Sequence, residues 1–388
     1  MSVVGQGPDR ERRGSVLVYR DRIAPRSEAQ FLRRQYVGFE RLAPVWVGCR
    51  ADEGLPELGV RPLIIGRRGA LGAWDRVLFK QFGVLPPQPD LRALRPAIVH
   101  AQFGRGGALA LPIAQALGVP LVVTFHGGDA TKEKHFSGGI VPTIFQRRLA
   151  ALQREAALFI CVSQFVSDRL AARGFPAHKL RVIRLGVEIQ PAAPAYDVAL
   201  PPHIVFVGRF VEKKGIGHLI EAARILAANG GPVGLSLIGD GPLMGELKEQ
   251  ARSLPGVTFT GWLPNHEVRD CVRRATVLCA PSVASQDGDT DGLPTVILEA
   301  MADGVPVVGS RQAGIAEAVE DRRTGLLVPP GSPSALAEAI RAIVDRPELR
   351  RPMGAAARLA VQERFNANSQ SRLLEDTLIE ITQRNAAP

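Results

Sequence analysis

Short apolar runs alternate along the chain with longer segments in which apolar residues recur every three or four positions. The short runs are rich in β-branched residues, as buried strands are, and the longer segments have the spacing of amphipathic helices. In the first half of the chain, the strand-like runs cover residues 15–19, 44–48, 61–66, 96–103, 120–127 and 157–163. The helix-like segments between them cover residues 108–118, 143–156 and 167–174. Gly118 and Gly174 stand where a glycine commonly ends a helix.

The same alternation starts again after a proline-rich segment, 188–203. The second set of strand-like runs covers residues 204–209, 233–241, 257–262, 277–282, 305–310 and 325–331. The helix-like segments between them cover residues 215–230, 242–254, 265–275 and 294–303. Strands that alternate with helices predict a parallel sheet with helices on both faces. The sequence therefore predicts an α/β protein with two Rossmann-like, doubly wound domains.

We place the domain boundaries by these two sets of elements. Residues 1–190 form the first domain, 191–203 a linker and 204–364 the second domain. A C-terminal helix over 365–388 is long enough to cross back to the first domain. Two such domains in tandem create a cleft, and ligands of this fold class bind at the carboxyl ends of the strands.

The composition is that of a globular protein, since 46% of the 388 residues are hydrophobic and 22% are charged. Cys49, Cys161, Cys271 and Cys279 form no CxxC pair, so we expect reduced thiols in a cytoplasmic protein rather than a zinc site or disulfides. The N-terminal segment is charged and lacks the apolar core of a signal peptide. The longest apolar stretch, 108–125, is interrupted by prolines and a glycine, which favours a buried helix and strand over a membrane span.

Positive charge is concentrated in the first half of the chain. Residues 1–190 hold 28 Lys and Arg against 15 Asp and Glu, a balance of +13, whereas 191–388 hold 20 against 23, a balance of −3. An anionic membrane surface or a phosphorylated substrate would suit the basic half, and so would a merely solvated arginine-rich surface. Nucleic acid is not expected as a partner, because aromatic residues make up only 5% and no recognition motif is present.

A glycine and two cations follow the first strand of the second domain, in IVFVGRFVEKK (204–214). Since parallel strands end at one edge of a sheet, Gly208, Arg209 and Lys214 are presented at that edge. Two cations beside the start of a helix form an anion site, which a diphosphate would fill. The alternative interpretation is a solvated basic turn.

A glycine turn follows the next strand, in SLIGDGPLMGEL (236–247). Gly239 and Gly241 flank Asp240 and allow the backbone to approach a ligand closely. Met244 occupies the third glycine position of the dinucleotide fingerprint, so an NAD site is not supported.

The segment DGDTDG (287–292) imitates the start of a calcium loop, but the twelfth position is Leu298 instead of a glutamate. No metal is therefore expected. We instead pair Asp291 with Glu299, eight positions later, because a helix predicted to start at Pro294 joins them. Asp291 and the backbone amides at the helix start would bind a sugar, and Glu299 would accept hydrogen bonds from ribose hydroxyls.

A histidine stands at the end of another predicted strand, in PLVVTFHGGDAT (120–131). His126 lies at the strand's carboxyl end, and Asp129 follows three residues later. Histidine is the commonest acid–base residue and is well placed there to bond a ligand. A purely structural histidine is the alternative.

These segments, in this order, resemble the retaining glycosyltransferase family 4, which has the GT-B fold. The resemblance covers most of residues 95–335, and a segment at 25–32 (PRSEAQFL) resembles one in members that build bacterial exopolysaccharides. The resemblance rests on TFHGGD, VGRFVEKKG, LIGDGPL, FTGWLP, DGLPTVILEAMADGVPVVGS and GIAEAVEDRRTGLLVPPG. It implies a UDP- or GDP-sugar bound mainly by the second domain, an acceptor bound mainly by the first, and no cofactor.

The resemblance also implies roles for individual residues. Arg209 and Lys214 would hold the diphosphate and Glu299 the ribose, while Asp291 would face the donor sugar and His126 its hydroxyls. The further donor-side residues are Gly208, Gly239, Asp240, Gly241, Leu263, Gly292, Leu293, Pro294 and Thr295, with Leu263 near the base. On the acceptor side the resemblance indicates Ser27, Glu28 and Gly104.

Two departures from the family pattern stand out. The family usually has glutamate where this chain has Asp291, and the shorter side chain retracts the carboxylate by about one methylene, which would alter sugar preference or weaken catalysis. The glycine pair usual in the family's first loop is not evident near residues 19–29.

The expected function is a retaining transfer of a hexosyl unit to a hydroxyl of a polysaccharide or a lipid-linked saccharide. No second acid is placed as a glycosidase-type nucleophile, and cations that stabilise the departing diphosphate would supply the main catalytic effect without a metal. The enzyme would work in the cytoplasm or peripherally on the inner face of the membrane. The alternatives are a nucleotide-sugar epimerase of the same fold and a non-catalytic nucleotide-sugar-binding subunit.

Overall fold

The computed structural model describes residues 14–25, 30–55, 59–67, 69–87, 89–137, 141–190, 202–230 and 234–386. These residues form two units. The first is drawn from Met1–Val162, Ser167–Ile183 and Asn368–Pro388, and the second from Ser163–Val166 and Arg184–Ala367.

A parallel sheet forms the centre of the first unit. Its strands are β1 (Ser15–Tyr19), β3 (Ala43–Gly48), β5 (Leu63–Ile64), β6 (Pro96–Gln102), β7 (Leu121–Phe125), β8 (Leu158–Cys161) and β9 (Leu180–Val182). They lie in the order β5-β3-β1-β6-β7-β8-β9. The short strands β2 (Arg22–Ile23) and β4 (Arg50–Ala51) pair with each other, also in parallel. The helices of this half are α1 (Gln30–Arg34), α2 (Gly69–Phe82), α3 (Gly104–Leu117), α4 (Gly128–Thr131), α5 (Glu133–Phe136), α6 (Ile144–Glu155) and α7 (Gln164–Ala171).

The second unit has a parallel sheet of its own. Its strands are β10 (His203–Val207), β11 (Gly234–Ile238), β12 (Val257–Gly261), β13 (Val277–Ala280), β14 (Val307–Ser310) and β15 (Gly325–Val328). They lie in the order β12-β11-β10-β13-β14-β15. The helices are α8 (Ile216–Ala228), α9 (Met244–Gln250), α10 (Asn265–Arg273), α11 (Thr295–Ala302), α12 (Ala313–Ala318), α13 (Pro333–Val344) and α14 (Pro347–Arg364).

Both sheets reverse their strand order once, as doubly wound folds do. The reversal falls between β1 and β6 in the first unit and between β10 and β13 in the second. At such a point the helices that follow the two adjacent strands cover opposite faces of the sheet. A crevice therefore opens beyond the carboxyl ends of the strands, where ligands of these folds bind.

The boundary between the units differs from the predicted one at residue 190. Residues from Arg184 onward belong to the second unit, because Val187 pairs with Asn366 and Gly186 packs against Ala367. The predicted linker over 191–203 lies outside the described residues up to 201, and β10 begins at its last position.

The C-terminal helix α15 (Ala367–Ala386) packs in the first unit. Leu374 and Leu378 are buried in that unit's core. The buried carboxylate of Glu375 accepts hydrogen bonds from the amides of Arg41 at 2.7 Å and Leu42 at 2.8 Å, which fixes the helix against the chain before β3.

The predicted strands are present but mostly shorter than their apolar runs, and residues 61–66 contribute only the two residues of β5. The predicted helices are also present, and Gly118 ends α3 in the left-handed conformation with φ 66°. The sequence pattern did not predict α2, β9 or the helices from α12 to α14. No helix in the described part of the chain is long and apolar enough to cross a membrane.

Candidate active site

The turn after β10 brings cations to the point where the second sheet reverses its order. Arg209 is exposed, and the next cations, Lys213 and Lys214, lie in a short 3-10 turn before α8. Gly215 ends that turn with φ 63°, and a Cβ atom there would lie 1.9 Å from the carbonyl oxygen of Pro281, after β13. The glycine thus allows the turn to pack against the neighbouring strand end.

Asp291 is paired with both lysines of this turn. Lys214 Nζ donates to its Oδ2 at 2.8 Å, Lys213 Nζ lies 3.4 Å from its Oδ1, and Ser282 Oγ donates to Oδ2 at 2.9 Å. Lys213 also donates to Asp289 at 3.0 Å. Two of the three aspartates of the calcium-like segment, Asp289 and Asp291, are therefore paired with lysines.

Burial and charge act in opposite directions on this cluster. Burial raises the pKa of Asp291, but the charges of Lys214 and Lys213 outweigh it, and the net pKa lies below the usual value. Burial likewise lowers the pKa of Lys213, but Asp291 and Asp289 raise it above the usual value overall. Asp291 and Lys213 therefore stay charged at neutral pH. No acidic side chain of the described residues pairs with Arg209, which leaves its positive charge available to an anion.

Helix α11 begins beside this cluster. It starts at Thr295, with Pro294 as its N-cap residue and no side chain capping it. Pro294 has no N–H group, so the predicted set of amides is reduced to those of Gly292, Leu293 and Thr295. Leu293 is buried and Glu299 is half-buried one turn along the helix.

Gly292 lies close to the start of α12. A Cβ atom on Gly314 would be 1.8 Å from the carbonyl oxygen of Gly292. This close approach holds the turn before α11 in place.

The glycine turn after β11 packs on the turn after β10. A Cβ atom at Gly239, where φ is 137°, would lie 1.9 Å from the carbonyl oxygen of Gly208, and one at Gly241 would lie 2.4 Å from that of Phe210. The close approach that requires these glycines is thus within the protein, not only towards a ligand as the sequence suggested. Asp240 accepts a hydrogen bond from the amide of Gly241 at 2.6 Å, and Leu263, two residues after β12, is half-buried.

In the first unit, His126 is the end of a chain of buried polar side chains. Its Nε2 lies 2.7 Å from Gln102 Oε1, and Gln102 Nε2 donates to the hydroxyl of Tyr36 at 2.7 Å. The Tyr36 hydroxyl lies 2.8 Å from His100 Nδ1, and His100 Nε2 lies 2.7 Å from the hydroxyl of Thr124. The sequence signal was the presence of His100 and Gln102, two positions apart in an apolar strand and therefore on one face; nothing in the sequence indicated Tyr36.

The hydrogen bonds that link His126 to Thr124 all run in one donor-to-acceptor direction. An amide oxygen only accepts, so His126 Nε2 carries a proton and donates it to Gln102. The Tyr36 hydroxyl accepts from Gln102 and donates to His100 Nδ1, so His100 donates from Nε2 to Thr124. With His126 neutral, its Nδ1 is the acceptor nitrogen.

Both histidines favour the neutral form. Burial lowers the pKa of His100 to about 3. Burial is also the main cause that lowers the pKa of His126, and the positive charge of Arg20 lowers it further. His126 is therefore a hydrogen-bond partner at neutral pH and not a charged acid.

Asp129 joins the two turns that carry the site residues of the first unit. Its Oδ1 accepts from the amides of His126 and Gly127 at 2.9 Å, and its Oδ2 accepts from the amide of Gly104 at 3.0 Å. Gly104 is buried and its amide is engaged in this bond, and a Cβ atom there would lie 2.5 Å from the ring of Phe125. Ser27 and Glu28 lie outside the described residues.

Phe103, between β6 and α3, has an unusual backbone conformation, with φ 67° and ψ 151°. This region is essentially restricted to glycine, and such strain is typical of functional sites. The Phe103 ring lies 4.5 Å from the His126 ring and 4.0 Å from the guanidinium of Arg20, measured between centres. The strained backbone of Phe103 thus carries a ring that packs against the His126 ring.

Two family models match this chain. "Glycosyltransferase Family 4" matches residues 39–190 and "Glycosyl transferases group 1" matches residues 201–346. The amylovoran biosynthesis glycosyltransferase AmsK of Erwinia amylovora is 33% identical over 292 residues, which cover 72% of this chain and 69% of AmsK. The chain belongs to glycosyltransferase family 4. WcaL of Escherichia coli strain K12, which carries the name of a colanic acid biosynthesis glycosyltransferase, is 32% identical over 79% of this chain and 78% of its own length.

Solved structures show the fold of this glycosyltransferase. The crystal structure of Anabaena HepE in complex with UDP and glucose has a TM-score of 0.77, covers 95% of this chain and 100% of HepE, and is 21% identical. The lipopolysaccharide outer core galactosyltransferase WaaB has a TM-score of 0.68 over 94% of this chain and 99% of its own, at 18% identity. The predicted GT-B fold class is confirmed.

Proposed function

We propose that this family 4 glycosyltransferase is a retaining enzyme of exopolysaccharide assembly. It moves a hexosyl unit from a UDP- or GDP-sugar to a hydroxyl of a polysaccharide or of a lipid-linked saccharide. The names of AmsK and WcaL support the pathway class, and the complex of HepE with UDP and glucose supports a nucleotide sugar as donor.

The observation that carries this proposal is the arrangement of Arg209 and Lys214 at the reversal point of the second sheet. Arg209 has no acid partner within the described residues, and Lys214 is held by Asp291 at 2.8 Å. A diphosphate would gain the charge of Arg209 directly and would compete with Asp291 for Lys214. As the bond between sugar and phosphate lengthens, negative charge grows on the phosphate and its attraction to both cations increases.

Asp291 supports a mechanism without a covalent intermediate on the enzyme. Its carboxylate is buried, bonded to two lysines and a serine, and its pKa is below the usual value. A carboxylate in this state is stabilised as an anion and is a poor nucleophile or proton donor. We infer that the acceptor hydroxyl enters on the face that the diphosphate leaves, with retention of configuration.

We further propose that the reaction needs no metal ion and that His126 accepts a hydrogen bond from a sugar hydroxyl. Arg209 and Lys214 would supply the positive charge that a metal provides in other transferases. The neutral His126, with a proton on Nε2, would present Nδ1 as the acceptor.

A double variant tests this proposal. We expect Arg209→Ala with Lys214→Ala to lower kcat by about a thousandfold or more, because two charges that act on the transition state are lost. The side chain of Arg209 is exposed, so the single variant Arg209→Ala should leave the melting temperature unchanged. This variant therefore separates an effect on catalysis from an effect on folding. Lys248→Ala, an exposed cation on α9, is the matched control. Undiminished turnover of the double variant would overturn the proposal.

Two further arms separate the alternatives. Turnover measured with EDTA should equal turnover with added magnesium; a loss that magnesium restores would contradict metal independence. Incubation with the donor alone should give no epimerised nucleotide sugar, and NMR of the product should show the anomeric configuration of the donor.

A further inference from the structure

Helix α2 exposes its apolar residues. Leu71, Trp74, Leu78 and Phe82 follow one another at spacings of three and four and so share one side of the helix. Trp74 is 67% exposed, Phe82 74% and Leu71 56%, and Val77 and Leu78 are also exposed. We call these five residues the outer face of α2.

The opposite side of α2 holds the helix in the first unit. Gly72, Asp75 and Phe79 are buried there. Asp75 accepts three hydrogen bonds from Arg67, at 2.8 to 3.0 Å, and Phe79 packs edge-on against Tyr19. The helix is therefore firmly placed without using its outer face, which no other described residue of the chain covers.

The segment that carries this outer face has an excess of positive charge. Residues 59–89 contain five Lys and Arg but a single acid, Asp75, which is buried and paired with Arg67, while Lys80 is paired with Asp21 from outside the segment. Exposed Arg147 donates to Gln81 on α2 at 2.6 Å, which adds a sixth positive charge beside the helix.

We propose that the outer face of α2 docks on an anionic membrane surface. Aromatic and aliphatic side chains would enter the boundary between head groups and acyl chains, and the flanking cations would meet anionic lipid head groups. The long stem of Arg76, which is half-buried, allows its charge to reach the head groups while the apolar residues lie deeper.

Charge argues against a second copy of this chain as the occupant. A symmetric pair would bring the same cations of each copy together, which opposes association. An anionic lipid surface instead matches both the apolar residues and the positive rim. The inference rests on the proposed function only for the role of docking, which is to bring the enzyme to a lipid-linked acceptor.

Vesicle co-sedimentation tests the proposal. The full-length protein should bind vesicles of phosphatidylcholine with phosphatidylglycerol and should bind far less to pure phosphatidylcholine. Trp74→Gln with Phe82→Gln should weaken binding by at least about tenfold, because two large apolar side chains no longer leave water. The control is Leu359→Gln with Leu373→Gln, which changes two exposed apolar residues on α14 and α15 (48% and 45% exposed) and should bind like the wild type.

Tryptophan fluorescence gives a second measurement. The chain has three tryptophans, of which Trp46 is buried and Trp262 is exposed in the second unit. In a Trp262→Phe protein, anionic vesicles should shift the emission to shorter wavelength, and this shift should vanish when Trp74→Gln is added.

The outcomes are distinct. Equal binding of the Trp74/Phe82 variant and the wild type, or binding that does not depend on phosphatidylglycerol, would overturn the proposal. A wild-type dimer that becomes a monomer in the variant would assign the face to a second copy instead. Transfer to a water-soluble acceptor should be unchanged in the variant. Vesicle binding without any transferase activity would refute the proposed function and leave this inference standing.

Discussion

At the scale of single residues, His126 acquires its chemical state from the groups behind it. Gln102 accepts its Nε2 proton, and Tyr36 and His100 fix the orientation of Gln102. When one nitrogen of a neutral imidazole carries the proton and donates it, the other nitrogen can only accept a hydrogen bond. The role proposed for His126 is thus a consequence of a hydrogen-bond order that begins three side chains away.

We predict that Tyr36→Phe changes the tautomer of His126. Loss of the hydroxyl leaves the Gln102 amide without its acceptor, so the amide can turn and present its N–H group to His126 Nε2. Nitrogen-15 NMR of histidine-labelled protein should then show the proton on Nδ1, and turnover should fall about tenfold, the value of one lost hydrogen bond in the transition state.

Thr124→Val is the matched control for this experiment. It removes the last acceptor of the same chain, at the far side of His100, and should lower stability by about 1–3 kcal/mol. Because Gln102 and Tyr36 stay in place, the His126 tautomer should not change. A tautomer that is identical in wild type and Tyr36→Phe would show that the chain does not position His126.

Burial of His100 gives the folded protein a dependence on pH. Its pKa is about 3 when folded, below the usual value, so unfolding in mild acid takes up a proton. The contribution is complete above about pH 6.5 and is lost as pH falls from there towards the folded pKa. The loss amounts to about 1.4 kcal/mol at pH 5.5.

We therefore expect the advantage of the wild type over His100→Gln in unfolding free energy to shrink by about 1.4 kcal/mol between pH 8 and 5.5. Denaturant titration at each pH measures this difference. Thr124→Val keeps the imidazole and should keep the wild-type slope. A constant difference between the wild type and His100→Gln would contradict a neutral buried His100.

At the scale of elements, two turns form one structure at the carboxyl edge of the second sheet. The turn after β11 places Gly239 and Gly241 against the backbone of residues 208–210. Arg209 is carried by the turn that these glycines support. A side chain at either glycine would therefore push against this backbone and displace the proposed diphosphate site.

We predict that Gly239→Ala destabilises the protein by about 3 kcal/mol or more, because its Cβ would meet the Gly208 carbonyl at a φ that L-residues avoid. Donor affinity should fall with it, as Arg209 moves. Gly245→Ala is the control: it has no atom within 4 Å of its Cβ, lies in α9, and should stabilise by about 0.5–1 kcal/mol. Melting temperature and donor titration measure both effects, and an unchanged Gly239→Ala protein would contradict the packing argument.

The sequence predicted the elements whose apolar residues face the core and missed others. Strands β6 and β7 were placed because buried parallel strands are continuous apolar runs. Helix α2 was not placed, since its outward side is the apolar one and its buried side includes a glycine and an aspartate. In the site, strand ends indicated Arg209 and His126, but Lys213 was missed because its pairing with Asp289 and Asp291 depends on a turn that returns 76 residues later in the chain.

At the scale of the whole molecule, the two units repeat one strand order but build different chemistry at the reversal point. The second unit has three cations and two aspartates there, and the first has neutral histidines beside Gln102, Arg20 and Asp129. Each unit also has a hydrophobic core of its own. A ligand bound by one unit is therefore expected to suppress local opening in that unit and to have little effect on local opening in the other.

This separation predicts where a bound donor slows amide hydrogen exchange. A ligand at a hundred times its Kd stabilises the state that binds it by about 2.7 kcal/mol, which suppresses the openings that release the ligand. With UDP or GDP, which lack the sugar that His126 is proposed to bind, the core strands β10 and β13 should exchange more slowly, while β7 and β8 should change little. Arg209→Ala should abolish the effect at the same nucleotide concentration, and Lys248→Ala should retain it. Equal protection of β7 and β8 would mean that the first unit contributes as much to donor binding as the second, and the assignment of the donor to the cations after β10 would then be wrong.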